Sequence, residues 1–229
     1  MTPPIVAIDG PAGAGKSTVA RQLASRLGFT IIDTGAIYRS VALAAQRAGI
    51  PWDDDAGLGR LLDAGLGISL EGDRVLLHGT DVSAAIRTPE ISRGASVVSA
   101  RPVVRQKLLQ LQRDLGARAQ RGAVLEGRDI GTVVFPDADV KFFLTASDEA
   151  RAARRHAELV GKGVPVPLTE VLSDQRRRDK DDTERTLAPL RRAPDAIVVD
   201  TTGLDLDQVV ERCYREAFAR LKHLISGQP

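Results

Sequence analysis

Gly10-Pro11-Ala12-Gly13-Ala14-Gly15-Lys16-Ser17-Thr18 has the spacing G-x-x-x-x-G-K-[ST], the Walker A pattern. The chemistry follows from the residue types. The glycines let the backbone wrap an anion, so that several N–H groups converge on it where a helix begins. Lys16 can reach the outer phosphates of a nucleoside triphosphate, and the Ser17 hydroxyl can ligand Mg²⁺ beside them. The pattern carries weight only between a strand and a helix. Ile5-Val6-Ala7-Ile8 is a short β-branched run suited to a buried strand, and Val19, Leu23 and Leu27 recur at helical spacing up to Gly28. Residues 10–18 are therefore expected to bind a nucleoside triphosphate with Mg²⁺.

A second set of residues bears on what the triphosphate is for. Arg39 follows Asp33-Thr34-Gly35-Ala36-Ile37-Tyr38, Arg105 lies in a helical pattern, and Arg128 lies in Glu126-Gly127-Arg128-Asp129. Arg178 and Arg185 bracket Asp179 and Asp182. Several guanidinium groups around a helix-bound triphosphate suit phosphoryl transfer onto a second phosphate, because two polyanions must be brought together against their repulsion. A phosphate monoester is largely ionised at neutral pH, its second pKa being about 6, so no strong general base is needed. His78, His156 and His223 are scattered without a partner pattern and are expected at the surface. Arg176 and Arg177 read as a solvated helix face, whereas Arg128 sits just past an expected core strand, where open α/β sheets bind ligands. A GTPase would carry an N/T-K-x-D element, and the chain has no Asn and no such Thr-Lys pair. Two rivals stay open on the residues alone. One is a kinase for another small acceptor, such as UMP, AMP or a metabolite hydroxyl; the other is a regulatory ATP-binding module.

Elements of an α/β fold must hold these groups. Thr30–Asp33 reads as a second strand, Ala36–Ala48 as a helix closed by Gly49-Ile50-Pro51, and Asp54–Asp63 as a short helix. Ile68, Leu70, Val75 and Leu77 alternate around Glu71-Gly72-Asp73, the pattern of a hairpin that does not belong to a parallel βαβ series. Helical patterns run over 90–100 and 103–121, strands over 124–126 and 140–144, and a helix over 146–160 with Ser147 as N-cap. Residues 161–194 are Pro-rich at both ends, and between Asp174 and Arg185 only Gln175 and Thr183 are uncharged. A strand over 196–200 and a helix with Leu206, Val209, Val210, Cys213, Ala217, Leu221 and Leu224 along one face complete the chain.

Composition sets the outer limits. The 229 residues are 43% hydrophobic and 27% charged, as in ordinary globular domains, and fit a single domain carrying small lobes. A net charge of +2 with 3% aromatics argues against a nucleic-acid coat protein. One cysteine excludes an internal disulfide and a multi-thiolate zinc site, and Cys213 and Trp52 are expected to pack. No signal-peptide pattern and no apolar run long enough for a membrane span are present. A cytoplasmic location is expected, with no membrane or nucleic-acid partner.

The chain resembles the bacterial cytidylate kinases, of the nucleoside monophosphate kinase group of P-loop proteins, over nearly its whole length. The likeness is carried by Ile8-Asp9-Gly10-Pro11 with the loop after it, by Asp33 to Arg39, and by Asp81-Val82-Ser83 through Ile86-Arg87-Thr88. It continues in Gly127-Arg128-Asp129-Ile130-Gly131-Thr132-Val133-Val134-Phe135-Pro136-Asp137-Ala138, and in Arg178-Asp179 with Asp182, Arg185 and Ala188-Pro189-Leu190. The resemblance implies a P-loop NTPase fold with five parallel strands flanked by helices. It implies a core at about 1–50, 100–160 and 195–229, a nucleotide-binding insertion at about 52–99 and a lid at about 161–194. By motif, Arg39, Arg128 and Arg185 would hold the acceptor phosphate, with Thr34 making a phosphate or sugar contact. Ser96, Arg105 and Asp129 would read cytosine, and Arg178 with Asp182 would hold the ribose. Lys16, Arg128 and Arg185 are the expected catalytic groups, Ser17 is the expected magnesium ligand, and CMP and dCMP are the expected acceptors of a monomeric enzyme. Many relatives have Ser where Thr34 stands. Arg191 and Arg192 fall where relatives vary, and they receive no role.

Overall fold

The computed structural model describes residues 2–225; Met1 and residues 226–229, the ends of the expected single-domain span, lie outside them. In chain order the strands and helices are β1 (Ile5–Asp9), α1 (Lys16–Leu27), β2 (Thr30–Asp33), α2 (Thr34–Arg47), α3 (Asp55–Asp63), β3 (Ile68–Glu71), β4 (Arg74–Leu77) and β5 (Thr80–Asp81). They continue with α4 (Pro89–Ser99), α5 (Pro102–Ala117), β6 (Ala123–Glu126), β7 (Val140–Thr145), α6 (Asp148–Gly161), α7 (Leu168–Glu184), β8 (Ile197–Asp200) and α8 (Leu206–Ile225). A 3₁₀ turn covers Ala85–Arg87, and a π-helical turn covers Ile130–Val134. The chain divides into two compact units, one running to Ile31 and resuming at Gly116, the other spanning Ile32–Leu115.

The first unit is built on a five-stranded parallel sheet in the order β2-β6-β1-β7-β8. Register is set by pairs such as Ile8 with Glu126 and Ile8 with Phe142. β1 and β6 are buried at every residue, which is why their apolar runs do not alternate: both faces are covered. Val19, Leu23 and Leu27 of α1 join Val209, Cys213, Ala217 and Leu221 of α8 in one core with Val6, Ile8, Phe142 and Leu144. Strand order reverses at β1. The crevice at its carboxyl end is therefore the place where such sheets take ligands, and the Walker loop begins there.

The second unit combines α2, α3, α4 and most of α5 with a three-stranded antiparallel sheet, β3-β4-β5. Its core joins Ile37, Val41 and Ala45 of α2 to Ile91 and Val98 of α4 and to Leu58, Val75 and Leu77. Trp52 packs against this core, its indole N–H donating to the Ala42 carbonyl at 2.9 Å. A Cβ on Gly94 would stand 2.5 Å from the Trp52 ring, so α4 can approach only without a side chain there.

Two expectations change, and a third element gains its bounds. The hairpin gains a third strand, β5, whose two residues, Thr and Asp, carry no apolar alternation. The helix expected over 103–121 stops at Ala117. Strand pairing takes over instead, with Thr30 N–H donating to Gly122 O and Ala123 N–H to Pro4 O, both at 2.9 Å. The charged stretch of 161–194 contains a 17-residue helix, α7. Its buried positions are Val171, Gln175 and Asp182, so most of the inward stripe is polar, and Arg176 and Arg177 lie on its exposed face.

Replacing Gly94 with Val forces the Trp52 ring or α4 to move. We expect a loss of about 1–3 kcal/mol, read as a lower urea midpoint with Trp52 fluorescence as the probe; an unchanged midpoint would show that the contact yields freely.

Candidate active site

The Walker loop leaves β1 through Gly10, whose φ is +147°. A Cβ there would lie 2.0 Å from the Leu144 carbonyl oxygen, so backbone passes directly over backbone. Gly15 caps α1 in the left-handed region, and no side chain caps this helix or adds an acidic residue to its first turn. Its leading N–H groups are left for an external anion. Lys16 is 5% exposed, with its ammonium folded back onto the Pro11 carbonyl at 2.7 Å. Burial, followed by the nearby charge of Arg128, pushes its pKa down to about 7, against the pull of Glu126, Asp182 and Asp9. The amine thus sits where four other charged groups converge.

Two carboxylates at strand ends complete the floor. The Ser17 hydroxyl donates to Glu126 Oε1, at the end of β6. Asp9, at the end of β1, accepts from the Ile130 and Gly131 N–H groups at 2.8 and 2.7 Å, tying the π-helical turn to the sheet. Burial raises the Asp9 pKa to about 6 despite those hydrogen bonds, and the Asp129 charge adds to the effect.

Past β6 the arginines gather around one acid. Arg128 Nε donates to Asp182 at 2.8 Å, and Arg185 lies 3.7 Å from Asp182 and 3.5 Å from Asp129. Burial opposes ionisation of Asp182, but the charges of Arg128, Arg185 and Arg178 outweigh it and hold its pKa below the usual range. Arg185 also donates from Nε to the Ala188 carbonyl at 2.7 Å, and the Leu190 N–H returns to Asp182 O at 2.7 Å, locking the chain after α7.

A clamp that the sequence did not disclose joins α6 and α7 to the loop. Arg151, 4% exposed, donates to the Ala12 carbonyl at 2.8 Å and pairs with Asp179. Asp179 in turn accepts the Ala12 N–H at 3.3 Å. Arg151 lies among several arginines on one charged helix, and nothing in its spacing marks it. Arg176 and Arg177 are exposed and pair with Asp148 and Asp174, as a solvated face should.

In the second unit Asp33 caps α2 through the Ala36 N–H at 2.8 Å and pairs with Arg39 at 2.9 Å. Thr34 opens α2 and is buried. The Arg39 Nε is buried without a hydrogen-bond partner among the described residues. Arg105 donates to the Ser99 carbonyl at 2.9 Å, with its guanidinium 5.7 Å from the Tyr38 ring centre. Ser96 donates to Ser92 O at 3.4 Å, on the same helix as Ser99. Of the expected site residues, then, Lys16, Ser17, Arg128, Asp129, Arg178, Asp182 and Arg185 belong to the first unit, and Thr34, Arg39, Ser96 and Arg105 to the second. Asp9, Glu126, Arg151 and Asp179 are further members of the first set. Asp9 and Glu126, each a lone acid ending an apolar strand, were the two with a readable signal.

Mg²⁺ prefers oxygen ligands, one or two of them carboxylates, with the remainder from phosphates and water. The Ser17 hydroxyl against the Glu126 carboxylate fits that donor set.

A family model described as cytidylate kinase matches residues 6–218. A cytidylate kinase from Geobacter sulfurreducens is 56% identical over 212 residues, 91% of this chain and 90% of its own length. Another, from Geobacter sp. strain M21, is 53% identical over 221 residues, 95% and 94% of the two chains. Among solved structures, an uncharacterized protein from Eubacterium ventriosum aligns over 98% of this chain and 99% of its own with a TM-score of 0.53 at 12% identity, a likeness of fold alone.

The depressed Lys16 pKa generates a direct test. Phosphates arriving at the loop restore its positive charge, so nucleotide binding at pH 8 should take up most of one proton. Calorimetry in two buffers of different ionisation heat reads this uptake, and equal heats in both would contradict it.

Proposed function

The chain belongs to the cytidylate kinase family, of nucleoside monophosphate kinases, and we propose on that premise that it transfers the γ-phosphoryl group of ATP to CMP and dCMP. The carrying observation is the convergence of Lys16, Arg128 and Arg185 about Asp182 beside a Walker loop. An oxygen of the CMP phosphate attacks the γ-phosphorus in line, the bond to the β–γ bridging oxygen breaks, and ADP leaves with that oxygen's electron pair. The acceptor phosphate arrives largely ionised, so the transfer needs no strong general base.

Lys16 and the α1 N–H groups hold the triphosphate. Ser17, with Glu126 beside it, would hold Mg²⁺, which would supply charge neutralisation to the triphosphate. Arg128 and Arg185 exchange their hold on Asp182 and Asp129 for the acceptor phosphate, with Arg39 as a third contact and Thr34 nearby. Asp182 and Arg178 take the ribose. Ser96, Arg105 and Asp129 read the base, because a wrong ring leaves buried donors and acceptors unpaired. Residues 161–194 serve as a lid that excludes water, and 52–99 as the nucleotide-binding insertion. Among the described residues no helix is long and apolar enough to cross a membrane.

A coupled assay of ADP release with MgATP, offering CMP, dCMP, UMP, AMP and GMP separately, tests the assignment. Turnover should be strong with the two cytosine nucleotides and slight with purines; uniform background turnover would overturn it. Arg128→Ala should lower kcat by roughly 10³–10⁵, as loss of a transition-state arginine does in related transfers. Arg105→Met should flatten the CMP-over-UMP ratio while leaving the KM for ATP within about twofold, so a retained ratio would remove Arg105 from base reading.

A further inference from the structure

A cavity of about 420 Å³ lies in the first unit, between the π-helical turn and residues 189–194. None of its lining residues belongs to the Walker loop or to the cluster around Asp182. Its volume falls in the lower range of small-molecule sites. Three cations line it, Lys141, Arg191 and Arg192, and no carboxylate does. Lys141 is 7% exposed and committed, donating to Pro136 O and pairing with Asp195 at 2.9 Å. Arg191 and Arg192 are exposed and have no ion pair among the described residues. Two adjacent guanidinium groups facing one concavity repel each other unless an anion joins them. Thr132, also among the lining residues, carries a buried hydroxyl with no hydrogen-bond partner among the described residues. The remaining walls are mainly proline, valine and alanine; no aromatic ring is present to stack a base.

We propose that this cavity is a second anion site, separate from the reacting centre, that takes a small phosphate-bearing metabolite without a nucleobase. Arg191 and Arg192 clamp the phosphate as bidentate donors, and the Thr132 hydroxyl finds its missing acceptor. Both walls lead into the acceptor machinery. The turn that carries Thr132 begins directly after Arg128-Asp129 and is tied to Asp9, and residues 189–194 begin where Leu190 bonds back to Asp182. Occupancy therefore acts on the acceptor side of the reaction, changing the KM for CMP more than the KM for ATP.

The test is a calorimetric titration of the full chain with inorganic pyrophosphate while a non-hydrolysable MgATP analogue and CMP saturate the reacting centre. One further pyrophosphate should bind per chain, weakened at least tenfold by the double variant Arg191→Glu, Arg192→Glu and severalfold by Thr132→Val. The urea midpoint of the double variant should stay close to the parent's, since both side chains are exposed, which separates lost binding from lost folding. Ribose 5-phosphate as a parallel probe separates a sugar phosphate from a bare diphosphate; displacement of one by the other places both in this cavity. No additional binding event, or binding indifferent to the double variant, overturns the proposal.

Discussion

Everything near the reacting centre depends on holding positive charges together before the phosphates that need them arrive. Lys16, Arg128, Arg178 and Arg185 converge in a largely buried space, where their mutual repulsion is poorly screened. Asp182 makes the gathering possible. It stays ionised despite burial because three arginines surround it, and in return it fixes where those arginines point. Lys16 shows the residual tension, its pKa reduced to about 7 by burial and by Arg128. A phosphate can replace a carboxylate in such a cluster with little rearrangement, since both offer planar guanidinium groups paired oxygens.

The scaffold supplies rigidity at the points where the cluster would otherwise drift. Asp9 ties the π-helical turn to the end of β1, so the segment after Arg128-Asp129 is pinned to the central strand. Arg151 and Asp179 hold both the carbonyl and the amide of Ala12, coupling α7 to the loop that wraps the triphosphate. Because Asp179 and Asp182 share α7, one helix contacts both the Walker loop and Arg128. That shared helix ties Ala12 physically to the arginines around Asp182.

Much of this was legible in the chain. The first strand, the Walker loop and α1 follow from a β-branched run, a glycine pattern and helical spacing, each a local property. Arg128 stood out because it follows an apolar strand end. Of α7 only the solvated face at Arg176 and Arg177 was legible, because its buried stripe is Val171, Gln175 and Asp182 and its partners are ions rather than a hydrophobic core. Arg151 was hidden for the same reason: an arginine buried by a partner 28 positions away looks like any other in a charged helix.

Types and spacings determined by themselves the phosphate loop, the α/β order of elements and the supply of arginines, since strand, glycine turn and helix are dictated over short stretches. Tertiary structure alone decided which carboxylate each arginine meets, that Lys16 is buried among them, and that Arg191 and Arg192 share a cavity with Thr132. The reason is physical. The energy of a charge depends on the dielectric and on the partners brought to it from distant parts of the chain, and neither is written in its neighbours.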